Sequence, residues 1–162
     1  MFLLILGGLI GLLVLVDQLT NSANSDNVYG TPQNQLPRAT INLLDDPNYQ
    51  NIILPSTLEE KLKNKDSFFV YYFSAACSFC IKTTPVLNDL IKQANVKVDQ
   101  FNLEVYNNYF ALSNIKGTPT LVFYEGGIEK DRIEVGIEGS NDLETIQIYN
   151  EFFEKYRELA TP

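Results

Sequence analysis

Phe68-Phe69-Val70-Tyr71-Tyr72-Phe73-Ser74-Ala75-Ala76-Cys77-Ser78-Phe79-Cys80 is an apolar run that leads into a C-x-x-C pair. Six apolar residues with no polar face describe a central strand, covered on both sides. A C-x-x-C that follows such a strand and opens a helix sets its first sulfur beside the unpaired N–H groups of the helix N-terminus, which favour a thiolate over a thiol. Cys77 is therefore the candidate nucleophile. Cys80, about one helical turn further on and sheltered by the helix, is the candidate resolving thiol. Thiol–disulfide exchange needs this asymmetry, because one thiolate attacks a partner's disulfide and a second thiol then releases the mixed intermediate.

The chain has no other cysteine and no histidine. Zinc takes four ligands, so a lone C-x-x-C argues against a metal centre. A purely structural disulfide is the remaining alternative, but closing so short a loop constrains the unfolded chain only weakly. The net charge of −8 over 162 residues excludes the basic surface that nucleic acid requires, and the length fits one domain with an appendage.

Residues 1–16 are apolar and uncharged, ending before Asp17. As a helix they span about 24 Å at 1.5 Å per residue, slightly under the ~30 Å hydrocarbon core of a bilayer. The expectation is a membrane anchor or uncleaved signal, although Ala23-Asn24-Ser25 forms a weak cleavage site. Residues 17–51, rich in Asn, Ser, Thr, Gln and Pro, read as a polar tether whose last part packs on the domain. Residues 52–162 form the domain itself.

Within that domain, Ser56-Thr57-Leu58-Glu59 has the form of a capping box and predicts a short helix to Asn64. After the strand over Phe68 to Phe73, a helix continues to about Ala94, with Pro85 predicting a kink. Val96 to Leu103 predicts a second strand, and Val105 to Asn114 a helix. Gly117-Thr118-Pro119-Thr120 leads into a strand over Leu121 to Tyr124. Glu125-Gly126-Gly127 predicts a tight hairpin turn and Ile128 to Val135 the return strand. Ser140 or Asn141 is expected to cap a final helix with Leu143, Ile146, Ile148, Tyr149, Phe152, Phe153 and Tyr156 on its apolar side.

A C-x-x-C after the central strand, with Thr118-Pro119-Thr120 before the hairpin and Val135-Gly136 after it, resembles the thioredoxin-like superfamily from about Ser56 to Tyr156. The resemblance implies an α/β thioredoxin fold: a βαβ unit followed by ββα, with a central mixed sheet flanked by helices. In that family the motif's proline is cis and packs against the cysteine pair, which assigns Pro119 a place beside Cys77 and Cys80. It also implies a polypeptide-binding groove with Ala76, Ser78 and Phe79 on one side of Cys77 and Thr118 and Gly136 across from it, and no cofactor. The chain departs from cytosolic members at Ala76, where they carry Trp, at Ser78-Phe79, where they carry Gly-Pro, and at Tyr71, where they carry a buried Asp. Lys82 and Glu104 are the nearby charged residues that could assist proton transfer, though both read more simply as solvated surface. It departs from the strongly oxidising periplasmic relatives in lacking their histidine and their inserted helical subdomain.

The combined expectation is a thiol–disulfide oxidoreductase held by a single pass on the extracytoplasmic side of the cell membrane. Its partners would be thiols and disulfides of exported polypeptides and a membrane-bound redox-recycling protein. The alternative is a non-catalytic docking or assembly module of a secretion or conjugation apparatus, since one fold hosts many functions. Whether the pair acts as oxidase, reductase or isomerase stays open, because family potentials run from about −270 to about −120 mV.

Overall fold

The computed structural model describes residues 7–8, 10–16 and 27–160. Residues 7–8 and 10–16 are helical, and no helix among the described residues is long and apolar enough to cross a membrane. The rest of the expected anchor and the tether over 17–26 lie outside the described residues. By contacts, the chain divides into a unit ending at Leu36 and a unit Pro37–Pro162. In the first, the Asn27 side chain accepts from the Tyr29 N–H at 3.0 Å and donates to the Thr31 carbonyl at 2.7 Å, and a single 3-10 turn follows at Gln33–Gln35.

The second unit begins with α1 (Arg38–Ile41) and a 3-10 turn at Pro47–Tyr49, so the last part of the stretch expected as tether belongs to this unit. Tyr49 lies in the core and Leu43 packs against it. Then come α2 (Pro55–Asn64), β1 (Phe68–Phe73), α3 (Ser78–Ala94), β2 (Val98–Asn102), α4 (Tyr109–Leu112), β3 (Thr120–Glu125), β4 (Ile128–Ile133) and α5 (Leu143–Tyr156). The sheet order is β2-β1-β3-β4, with β1 parallel to β2 and antiparallel to β3, and β3 antiparallel to β4.

All six residues of β1 are buried, and its alternation divides the core in two. Phe69, Tyr71 and Phe73 face one layer with Cys80, Leu87, Tyr149, Phe152 and Phe153, whereas Phe68, Val70 and Tyr72 face the other with Leu58, Phe101 and Tyr109. A strand inside a sheet covered on both faces has no polar side to show, which is why its sequence reads as continuously apolar. Ile52 and its neighbours cover the outer edge of β2: the Ile53 N–H donates to the Gln100 carbonyl at 2.9 Å.

Several boundaries differ from the sequence reading. Ser56 is not the cap of α2. Pro55 takes the first helical position, where its missing N–H costs nothing and its fixed φ suits the helix, so Leu54 becomes the cap with no side-chain bond. The helix expected over 105–114 shrinks to Tyr109–Leu112, because Asn107 and Asn108 favour turns over helix. Asp142, not Ser140 or Asn141, caps α5, its side chain accepting from the Thr145 N–H at 3.3 Å. Leu143 and Ile148, expected on the apolar side, are exposed, because the face turned to the core is the one carrying Thr145, Tyr149, Phe152, Phe153 and Tyr156. The strands expected over Val96 to Leu103 and Ile128 to Val135 end inside those limits, at Val98–Asn102 and Ile128–Ile133.

Candidate active site

Cys77 is the N-cap residue of α3, and its sulfur accepts from the Cys80 N–H at 3.4 Å, in the place an Asp or Ser oxygen usually fills. It sits there because β1 ends at Phe73 and the chain turns through Ser74 to Ala76, with the Cys77 N–H donating to the Ser74 carbonyl at 3.1 Å. Both cysteines are free thiols, Cys77 half-buried and Cys80 fully buried. Burial pushes the Cys77 thiol up, but hydrogen bonds with the Thr118 and Cys80 side chains and from the Cys80 and Phe79 backbone outweigh it. The thiol ends below its ordinary value of 9.0. Burial dominates at Cys80; a Ser74 backbone hydrogen bond opposes it, the neighbouring Cys77 adds to it, and the thiol is pushed up to about 12.

Thr118–Pro119 is a cis peptide, and the Cys77 thiol donates to the Thr118 carbonyl at 3.3 Å. Pro119 is buried, whereas Thr118 is half-exposed and opens onto a shallow pocket lined by Lys116, Gly117, Thr120 and Glu134. Gly136 approaches from the loop after β4. A Cβ there would lie 3.0 Å from Pro119 Cγ and 3.0 Å from Thr83 Oγ1, so the three segments converge only because 136 has no side chain. Thr83 locks this junction: its hydroxyl accepts from the Ile137 N–H at 2.8 Å and donates to the Ile137 carbonyl at 3.2 Å. Ala76, Ser78 and Phe79 are exposed around Cys77, with Phe79 51% accessible. The fold thus brings Cys77, Cys80, Thr118, Pro119 and Gly136 together, with an apolar rim open to solvent.

The thioredoxin family model matches residues 50–149, most of the second unit. The chain belongs to the thioredoxin family. Two relatives are thioredoxins of Rickettsia bellii, 28% identical, and Rickettsia conorii, 26% identical; each match spans 95 residues, 57% of this chain and 90% of the relative. Among solved structures, a mutant thioredoxin from Halobacterium salinarum superposes with a TM-score of 0.53 at 17% identity, covering 68% of this chain and 92% of that one. At that identity the superposition speaks for the fold alone.

The thioredoxin-family redox pair here has an unusual floor. Tyr71, at the position of the buried acid, is fully buried, and its hydroxyl lies 3.1 Å from Thr84 Oγ1, which donates to the Cys80 carbonyl at 2.7 Å. Burial, then the proximity of Cys80, holds the Tyr71 proton well above the ordinary phenol value. Tyr71 is therefore no base for Cys80. Lys82 is exposed, as a solvated residue would be. Glu104 is not: its carboxylate accepts from the Ala76 N–H at 2.7 Å and from the Ser74 hydroxyl at 3.3 Å. Thr83, Thr84 and Ser74 went unread in the sequence. Thr83 and Thr84 follow Cys80 by three and four residues, the helical spacing that puts them on its face, and that spacing was the available signal. Among the described residues no group of three or more His, Cys, Asp or Glu converges as metal ligands.

Proposed function

We propose that this thioredoxin-family redox protein exchanges disulfides with exported polypeptides through Cys77 and Cys80, tethered on the extracytoplasmic side of the membrane by residues 1–16. The observation that carries the chemistry is the split between the two thiols: Cys77 partly open and held below its ordinary value, Cys80 buried and pushed up to about 12. The Cys77 thiolate attacks one sulfur of a substrate disulfide and expels the other as a thiolate. Cys80 then loses its proton and attacks Cys77 Sγ, releasing the second substrate thiolate; two electrons have passed to the substrate and the pair is a disulfide. Run backwards, the same steps oxidise a substrate dithiol. Bonding of Cys77 into the mixed disulfide removes its contribution to the high Cys80 value, so the resolving thiol ionises more readily when it is needed. Pro119 closes the floor of the groove, and Ala76, Ser78, Phe79, Thr118 and Gly136 form its rim, where an extended chain can pair with the Thr118 backbone as an added strand.

The anchor reading is supported by the uncharged apolar run at the N-terminus and implies a membrane partner that resets the pair. In the full chain, Cys77→Ala abolishes exchange with a model disulfide, and Cys80→Ala accumulates mixed disulfides with exported proteins; exchange surviving in Cys77→Ala sinks the assignment. A membrane-impermeant maleimide added to intact cells labels Cys77 if the domain lies outside, and labelling only after lysis overturns that placement. The docking-module reading draws on Ala76 and Tyr71, and it takes over if the pair is inert in both assays.

A further inference from the structure

The turn that presents Cys77 has no ladder of its own. The last sheet bond before it runs from the Leu103 N–H to the Phe73 carbonyl at 2.7 Å, and beyond that the backbone of Ser74 to Ala76 leaves the strand. Its partner is Glu104. One carboxylate oxygen of Glu104 takes both the Ala76 N–H and the Ser74 hydroxyl, and the Ala76 N–H also reaches Ser74 Oγ at 3.3 Å. Ser74 ties the turn to both cysteines: its backbone hydrogen-bonds the Cys80 thiol, and its carbonyl accepts from the Cys77 backbone N–H at 3.1 Å.

The residue behind the carboxylate is itself fixed. The Glu104 N–H donates to Asn102 Oδ1 at 3.0 Å, and Asn102 Nδ2 donates to Thr40 Oγ1 at 3.1 Å, with Asn102 and Thr40 fully buried. An anchored carboxylate gripping the Ala76 N–H at 2.7 Å makes a charge-assisted bond, about twice as strong as a neutral one.

We infer that Glu104 is a positioning residue for the redox pair, its carboxylate fixing the Ser74–Cys77 turn so that the Cys77 sulfur stays at the cap of α3 and beside Thr118. The inference rests on Cys77 being the nucleophile. Two effects of opposite sign separate positioning from simple proximity. A negative charge near a thiol disfavours the thiolate, so if Glu104 acted through charge alone, removing it would make Cys77 ionise at lower pH. If it acts by holding the turn, removing it loosens the hydrogen bonds that favour the thiolate, and Cys77 ionises at higher pH.

The test is the pH dependence of iodoacetamide alkylation of Cys77 in the full chain, read by peptide mass, together with thermal unfolding. E104A is expected to shift the alkylation midpoint to higher pH and to slow alkylation several-fold at neutral pH. E104Q, whose Oε1 still accepts from Ala76, restores most of the wild-type profile. E104D, too short to reach Ala76, shifts the midpoint as E104A does and carries the test if E104A folds poorly. A wild-type midpoint in folded E104A or E104D, or a lower midpoint in E104A and E104Q alike, overturns the inference while leaving Cys77 as nucleophile. Exchange persisting in Cys77→Ala overturns both.

Discussion

Cys77 and Cys80 lie about one helical turn apart, yet the fold moves their thiols in opposite directions, because one caps the helix at the surface and the other faces Tyr71 and Tyr149 in the core. Alkylation of Cys77 therefore rises with pH as the thiolate forms, with its midpoint below 9.0, whereas Cys80 resists until alkali or unfolding exposes it; a Cys77 midpoint at or above 9.0 contradicts this. The same split makes the dithiol form weaker in alkali. The unfolded Cys80 thiol ionises near its ordinary 9.0 and the folded one near about 12, so the native state binds the extra proton in that window and stability falls as pH rises through it. Tyr71 adds bulk, not a base. Tyr71→Phe is expected to cost about 1 kcal/mol and to leave the exchange rate unchanged, because Thr84 keeps its bond to the Cys80 carbonyl. Tyr71→Asp is expected to cost about 3 kcal/mol or more, from the emptied aromatic volume and an unpaired buried carboxylate; denaturant melts and exchange assays on both variants check this. The cysteines were legible from their local spacing, and Pro119 and Gly136 from the family resemblance that Thr118-Pro119-Thr120 and Val135-Gly136 carry. The Glu104–Ala76 bond was not, since it joins residues 28 apart in the chain through the pairing of β1 with β2.

The hairpin between β3 and β4 shows how strongly an element depends on two adjacent residues. Gly126 and Gly127 have φ of 60° and 77°, the pair of positive values that a two-residue turn between twisted strands requires. Around Gly126 there is open space, but a Cβ on Gly127 would lie 2.2 Å from the Leu62 carbonyl oxygen at the end of α2. Gly127→Ala is thus expected to destabilise by about 3 kcal/mol, at the top of the range for a strained left-handed residue, and Gly126→Ala by about 1 kcal/mol. Chemical denaturation of the two variants decides the order, and equal losses would show that the contact with α2 is not felt. The turn itself was readable from Glu125-Gly126-Gly127, because glycine pairs carry backbone information. Helix starts were less so: Ser56 and Ser140 have capping side chains, but Pro55 and Asp142 occupy the positions where the chain enters the helix. Pro55 marks the first helical position of α2 by its own chemistry, whereas Ser140, Asn141 and Asp142 are all good capping types and the local sequence does not choose among them.

Across the whole molecule, the order of elements and the two-sided cover of β1 followed from apolar periodicity, and the thioredoxin family from a few residues set at its ends. The part of 17–51 that joins the domain was harder to read, because its few apolar side chains, Leu43 and Tyr49 among them, are spaced irregularly and pack by tertiary position. The acidic balance of −8 disfavours anionic partners. The reduction potential of the full chain, equilibrated against glutathione and dithiothreitol mixtures, tests most directly whether Cys77 and Cys80 form a working redox pair. A reversible two-electron couple between about −120 and −270 mV is the predicted result, its place in that range separating a disulfide donor from a reductant. A disulfide that stays closed well below about −300 mV, or a pair that never closes, would contradict the account.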